Sequence, residues 1–144
     1  MLKIISRMSL AVVIVSLLGL GLTGRLFSPS PLPLAVQALA VALAVWARRS
    51  FPRGAFRTGA TPSGDGLIRR GPYRVIRHPM YSAALTVIWT GIVTHLSVWT
   101  AGVGIVVTTF AAVRIVVEEG LLRERYPEYG DYVGATKALV PFVV

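Results

Sequence analysis

Four apolar runs, punctuated by arginine, decide what this chain can become. They cover residues 8–22, 32–47, 81–94 and 98–117, and Arg114 is the one charged side chain inside them. With their flanks they give spans at 8–25, 31–47, 81–95 and 98–117. A bilayer-crossing helix needs about 20 apolar residues. With their flanks the first and fourth reach the range of about 17–25 residues; the second and third are shorter, so they must tilt, thin the bilayer or borrow flanking residues. A water-facing globule is excluded: with 54% hydrophobic and 15% charged residues in 144, the chain has more apolar surface than so small a domain can hide. The expected architecture is an all-α, polytopic membrane helix bundle of about four transmembrane helices in one domain, with a cofactor pocket on its cytoplasmic side. The basic start and first apolar run also fit a signal peptide, but no small-x-small cleavage site follows and three more runs do, so a span is expected.

Charge placement sets the orientation. Thirteen of the fifteen Lys and Arg residues fall at the N-terminus, between 48 and 77, or after 119. The middle stretch holds Arg48, Arg49, Arg53, Arg57, Arg69, Arg70, Arg74 and Arg77, whereas the turn His95-Leu96-Ser97 has no Lys or Arg. Four spans put all three basic regions on one side, which the positive-inside rule makes cytoplasmic together with both termini. The net charge of +9 then points to anionic lipid headgroups as partner. No nucleic-acid-binding module is recognisable, and no nucleic-acid partner is expected. Cysteine is absent and only His78 and His95 are present, so no metal site is expected.

The six acidic residues concentrate late, with Glu118 and Glu119 at the end of the fourth run. Arg114 lies one helical turn before Glu118 on the same face, and an ionisable pair inside a membrane segment marks either a functional site or a structural clamp. Glu118 and Glu119 differ by about 100° around a helix, so one of them faces any pocket. Glu118 is the choice, because it shares a face with Arg114. A second cluster is Gly71-Pro72-Tyr73-Arg74 followed by Arg77-His78-Pro79-Met80-Tyr81. Pro79 suits a first helical turn, which places Arg77 and His78 at a helix start where an anion can sit; interfacial anchoring is the competing reading. The run Tyr126-Pro127-Glu128-Tyr129-Gly130-Asp131-Tyr132 can line a pocket or cover an amphipathic tail.

In this order the three clusters resemble the isoprenylcysteine carboxyl methyltransferases. The signature is Gly71-Pro72-Tyr73-Arg74, Arg77-His78-Pro79-x-Tyr81, a helical hairpin, Arg114-x-x-x-Glu118-Glu119, the tyrosine run and Leu139-x-Pro141. It covers the chain from Asp65 to the end; the first two spans carry none of it. The resemblance implies S-adenosyl-L-methionine as cofactor and a lipid-like or small-molecule methyl acceptor, a carboxylate by preference. By motif position it implies cofactor contacts from Leu67, Ile68, Tyr73, His78, Pro79, Met80, Tyr81, Glu118, Tyr129 and Tyr132. It assigns Arg114 and Glu118 to catalysis, with Arg114 facing the acceptor. One departure is Ala83, where the family usually has glycine; it bears on the acceptor pocket more than on the cofactor site.

Two other classes share some of these features. Sterol-reductase-like membrane enzymes resemble the Arg-His-Pro turn, but typically have Asn before the tyrosine and an acidic residue soon after it. Here those places hold Met80, then Ser82, Ala83 and Ala84. A non-catalytic scaffold would bind anionic lipid through Arg48, Arg49 and Arg53, and would not depend on His78 or Glu118.

Overall fold

The structure is a computed structural model that describes residues 2–51 and 66–140, with side chains from Met8 onward. Asp65, Arg53, Arg57 and Pro141, singled out above, lie outside the described residues. Five α-helices and one 3-10 turn follow each other: α1 Leu2–Leu22, α2 Pro31–Arg49, the 3-10 turn Gly71–Arg74, α3 Pro79–Thr94, α4 Val98–Arg125 and α5 Tyr129–Ala135. Among the described residues the fold is helical throughout, apart from one parallel bridge between Ile76 and Lys137.

Local chemistry sets the helix ends. Proline occupies the first turn of α2 and of α3, where its missing N–H costs nothing. Helix α4 starts with a capping box: the Ser97 hydroxyl accepts from the Thr100 N–H, and the Thr100 hydroxyl accepts from the Ser97 N–H. Helix α1 ends at Gly24, whose left-handed backbone (φ 68°) lets Arg25 N–H reach back to the Leu20 carbonyl at 2.8 Å.

Helices α2 and α4 are long and apolar enough to cross a membrane; Met8–Leu22 and Pro79–Thr94 are shorter apolar helices. Helix α4 runs eight residues past the end of its apolar run. At 1.5 Å per residue its 28 residues span about 42 Å, against about 30 Å of hydrocarbon. Its last two turns, which carry Glu118 and Glu119, therefore extend beyond what a bilayer core needs.

Helix α2 packs on α3, α1 on α4, and α3 on α4. Leu20, Leu26, Ala40, Val87, Ile88, Ile92 and Val107 form the shared core. Close approach of the α1–α2 connection to α3 depends on Gly91: a Cβ there would stand 2.3 Å from the Leu26 carbonyl oxygen. Gln37, fully buried on α2, donates through Nε2 to that same carbonyl at 2.6 Å and to the Val87 carbonyl at 3.1 Å. The outer faces stay apolar: Leu18, Leu22, Leu32, Leu39, Val106 and Val116 are all exposed. Such faces suit a lipid environment, where they carry no penalty.

Candidate active site

Three elements converge at one end of the bundle: the 3-10 turn, the start of α3 and the end of α4. The turn is held against α2 through Gly71, whose left-handed backbone (φ 60°) and missing side chain bring it beside Ser50 and Trp46. Arg70 Nε donates to the Ser50 carbonyl at 2.7 Å and fixes the same junction. Beyond the turn, residues 75–78 run beside the segment after α5, with one parallel bridge between Ile76 and Lys137. Lys137 N–H donates to the Val75 carbonyl, Arg77 N–H to the Lys137 carbonyl and His78 N–H to the Ala138 carbonyl, at 3.0, 2.7 and 3.0 Å. This strap fixes where His78 sits as α3 begins.

Two carboxylates divide the polar side chains between them. Glu118 accepts from Tyr81 Oη at 2.8 Å and from Arg114 Nε at 3.0 Å, and Arg114 Nε also contacts the Tyr81 hydroxyl. The four-residue spacing thus forms the ion pair it predicts, with Arg114 only 4% exposed. Glu119 accepts from Arg77 Nε at 2.9 Å and from His78 Nε2 at 3.3 Å on one oxygen, and from Arg123 Nη2 at 3.0 Å on the other. With Nε2 turned to Glu119, His78 Nδ1 lies on the Glu118 side, 3.9 Å from Glu118 Oε2. Arg77 further donates to the carbonyls of Val133 and Thr136, which ties the strap to α4.

A cavity of about 340 Å³ lies against this network. Its polar lining is Tyr73, Arg77, His78, Tyr81, Arg114 and Glu118; Leu10, Val13, Phe51, Met80, Ala84 and Leu122 complete it. Glu118 faces the cavity, and Glu119 stands behind it as the anchor of Arg77 and His78. Leu67, Ile68, Pro79, Tyr129 and Tyr132 do not line it. Pro79 begins α3, while Tyr132 supports the cavity from outside by donating to the Tyr73 carbonyl at 2.7 Å. Burial pushes the Tyr132 hydroxyl up to about 12, against the pull of Arg77 and Arg69. Burial likewise raises Tyr73 and Tyr129, so all three stay protonated at neutral pH. The Tyr129 hydroxyl is buried without a hydrogen-bond partner among the described residues. No group of three or more His, Asp or Glu there is placed to hold a metal ion.

Beside the cavity runs a larger apolar groove of about 880 Å³ between α1, α2 and α3. Met80 and Ala84 line both spaces. Ala83 lines the groove and not the cavity, so the methyl in place of glycine falls on the groove side.

The phospholipid methyltransferase family model matches residues 30–129. The chain belongs to that family. The family is related to the isoprenylcysteine carboxyl methyltransferases that the motifs resemble, and the matched stretch contains every polar residue of the cavity. Helix α1 and the strap after α5 fall outside the match. No curated protein and no solved structure matches the chain significantly. Membership in the phospholipid methyltransferases makes methyl transfer at a membrane the family-level activity, and the exposed apolar helices suit it.

Sequence reasoning weighed Glu119 against Glu118 but gave it no role, and it missed Gln37 and the strap. Glu119 had a usable signal: two adjacent donors, Arg77 and His78, and two adjacent carboxylates, so pairing one set leaves the other to be matched. Gln37 and the strap had none beyond a lone polar residue in an apolar run.

Proposed function

We propose that this protein transfers a methyl group from S-adenosylmethionine to a lipid-like acceptor at the cytoplasmic membrane face. The observation that carries the reading is the adjacency of two spaces of opposite character: Met80 and Ala84 line both the cavity of charged and aromatic side chains and the apolar groove. Donor and acceptor chemistries of opposite character would thereby meet at one point.

The donor set suits S-adenosylmethionine, which carries both charges, hydroxyls and a purine. A carboxylate (Glu118), a histidine at a helix start (His78), two tyrosines (Tyr73, Tyr81) and an apolar wall with Met80 line a space of about 340 Å³. Bound there, the cofactor supplies a methyl already activated on a sulfonium. Glu118 would hold its ammonium or ribose hydroxyls, and His78 its carboxylate. Tyr129 and Tyr132 on α5, with Leu67 and Ile68, would reach the cofactor from outside the cavity lining. Arg114, held by Glu118 and Tyr81, would orient the acceptor headgroup through a planar contact that lysine could not reproduce. An acceptor carboxylate is ionised at neutral pH and needs no base. What the residues supply is alignment, which can lower a barrier by about 7–11 kcal/mol. On a four-span reading with both termini inside, the positive-inside rule would put the cavity on the cytoplasmic side with the arginines.

The test is S-adenosylmethionine binding by calorimetry in detergent, with Glu118→Ala and His78→Ala beside the wild type. The expected result is binding by the wild type and loss in both variants while helicity is retained. A folded wild type that does not bind would sink the reading and favour the lipid-binding scaffold.

A further inference from the structure

The His78 ring stands between two carboxylates, and one of them fixes where its proton sits. Arg77 Nε at 2.9 Å and Arg123 Nη2 at 3.0 Å hold Glu119 ionised, one on each oxygen. An ionised carboxylate only accepts, so the 3.3 Å contact from His78 Nε2 to Glu119 Oε1 requires the proton on Nε2. A neutral His78 then has a single tautomer, with Nδ1 bare. That nitrogen lies 3.9 Å from Glu118 Oε2, and both side chains line the cavity.

A bare Nδ1 sets its lone pair against any anion beside it. Yet the place favours an anion: helix α3 starts at Pro79, and the N-terminal end of a helix attracts negative charge. The two arginines in the cavity lining, Arg77 and Arg114, are each matched to a glutamate already. A carboxylate that enters beside His78 therefore finds its counter-charge in a second proton on the ring.

We propose that Glu119 is a positioning residue that presents His78 to the cofactor as an imidazolium, with Nε2–H on Glu119 and Nδ1–H on the cofactor's carboxylate, so that binding takes up a proton. The proton comes from solvent and stays on the ring; no other bond is made or broken. The uptake rests on the transfer reading above, whereas the tautomer does not. The groups facing this ring or its partners are Glu118, Glu119, Arg114 and Arg123 from α4, Arg77 from the link before α3, and Tyr81 from α3 itself. Tyr73 of the 3-10 turn lines the same cavity, Tyr129 of α5 faces Glu119, and α1 brings only Leu10 and Val13. The protonated ring is the binding form. Affinity should therefore fall as pH rises through the range of about 5 to 8 in which histidine changes charge, by up to about tenfold per pH unit.

Two measurements test this. The chain has two histidines, so His95→Gln leaves His78 alone for nitrogen NMR of the labelled ring. The unloaded neutral ring should carry its proton on Nε2, and the S-adenosylmethionine complex should carry one on each nitrogen. Calorimetry in two buffers of unlike ionisation enthalpy counts the protons taken up. The comparison ligand is decarboxylated S-adenosylmethionine, which keeps the ammonium and sulfonium and lacks the carboxylate. It should bind with no uptake at His78. Glu119→Gln should weaken S-adenosylmethionine about 10- to 100-fold, the scale of a lost charge-assisted contact, and leave the decarboxylated ligand as it is.

A proton on Nδ1 of the unloaded neutral ring would overturn the role of Glu119, and so would equal losses of both ligands in Glu119→Gln, which mark a structural part only. Cofactor binding without proton uptake, or with Nδ1 bare, removes the imidazolium and leaves methyl transfer standing. A folded wild type that binds no cofactor removes the transfer reading and the uptake with it, while the unloaded spectrum still decides the tautomer.

Discussion

Replacing Glu119 by alanine removes the carboxylate that binds the start of α3 to α4, and its cost can be worked from the contacts. Three side chains, Arg77, His78 and Arg123, lean on Glu119. Arg123 is 55% exposed on its side chain, and a pair that open to solvent contributes about 0–1 kcal/mol. Arg77 and His78 are 11% and 6% exposed, so their bonds to Glu119 carry most of the effect. Breaking a buried pair by removing one partner costs about 3–5 kcal/mol when the remaining charge is left bare. Arg77 is not left bare, because the carbonyls of Val133 and Thr136 still accept from it. The loss should therefore lie near the lower bound, about 3 kcal/mol. For a chain of this size each kcal/mol shifts Tm by about 2–4 °C, so the midpoint should fall by about 6–12 °C. Glu119→Gln keeps an acceptor oxygen and should recover part of that; Arg123→Ala should stay within about 4 °C. Thermal unfolding in detergent, followed by tryptophan emission, reads all three. A Glu119→Ala midpoint as close to wild type as that of Arg123→Ala would refute the assignment of Glu119 as the anchor.

Two further outcomes test the packing and the titration of the tyrosines. In Gly91→Ala the new Cβ meets backbone, the Leu26 carbonyl, which cannot rotate aside. Overpacking of that kind costs about 1–3 kcal/mol, whereas Gly102→Ala, with nothing within 4 Å of the added carbon, should gain about 0.5–1 kcal/mol of helix stability. Tyr132 titrates at about 12 in the folded chain and near 10 when unfolded. Its contribution is thus fully present below pH 10 and is lost as pH rises toward 12, because the unfolded chain sheds the proton first. Stability measured across that range should fall, and less steeply in Tyr132→Phe; equal slopes would refute the shift.

Much of the architecture was legible because lipid leaves a plain record: apolar runs, and arginines between them. The helix starts at Pro31 and Pro79 were legible too, since proline acts locally; the Ser97 cap of α4 was not read. The chosen pair Arg114 and Glu118 meet because four residues make one helical turn. Glu119, by contrast, anchors residues 41 and 42 positions earlier in the chain, a distance at which helical periodicity says nothing. The strap is a short backbone pairing between residues 75–78 and 137–138, with no alternating pattern to announce it. Helix α2 reached spanning length only because it runs on through Arg48 and Arg49, which the apolar pattern excludes.

The separation between Arg77 and Glu119 also has a consequence for biosynthesis. At about 5–20 residues per second, a ribosome makes Glu119 about 2–8 s after it makes Arg77 and His78. Throughout that interval Arg77 and His78 lack the carboxylate they end against. The start of α3 must wait while α4 is completed, and the cavity takes its final lining only when the last long helix arrives.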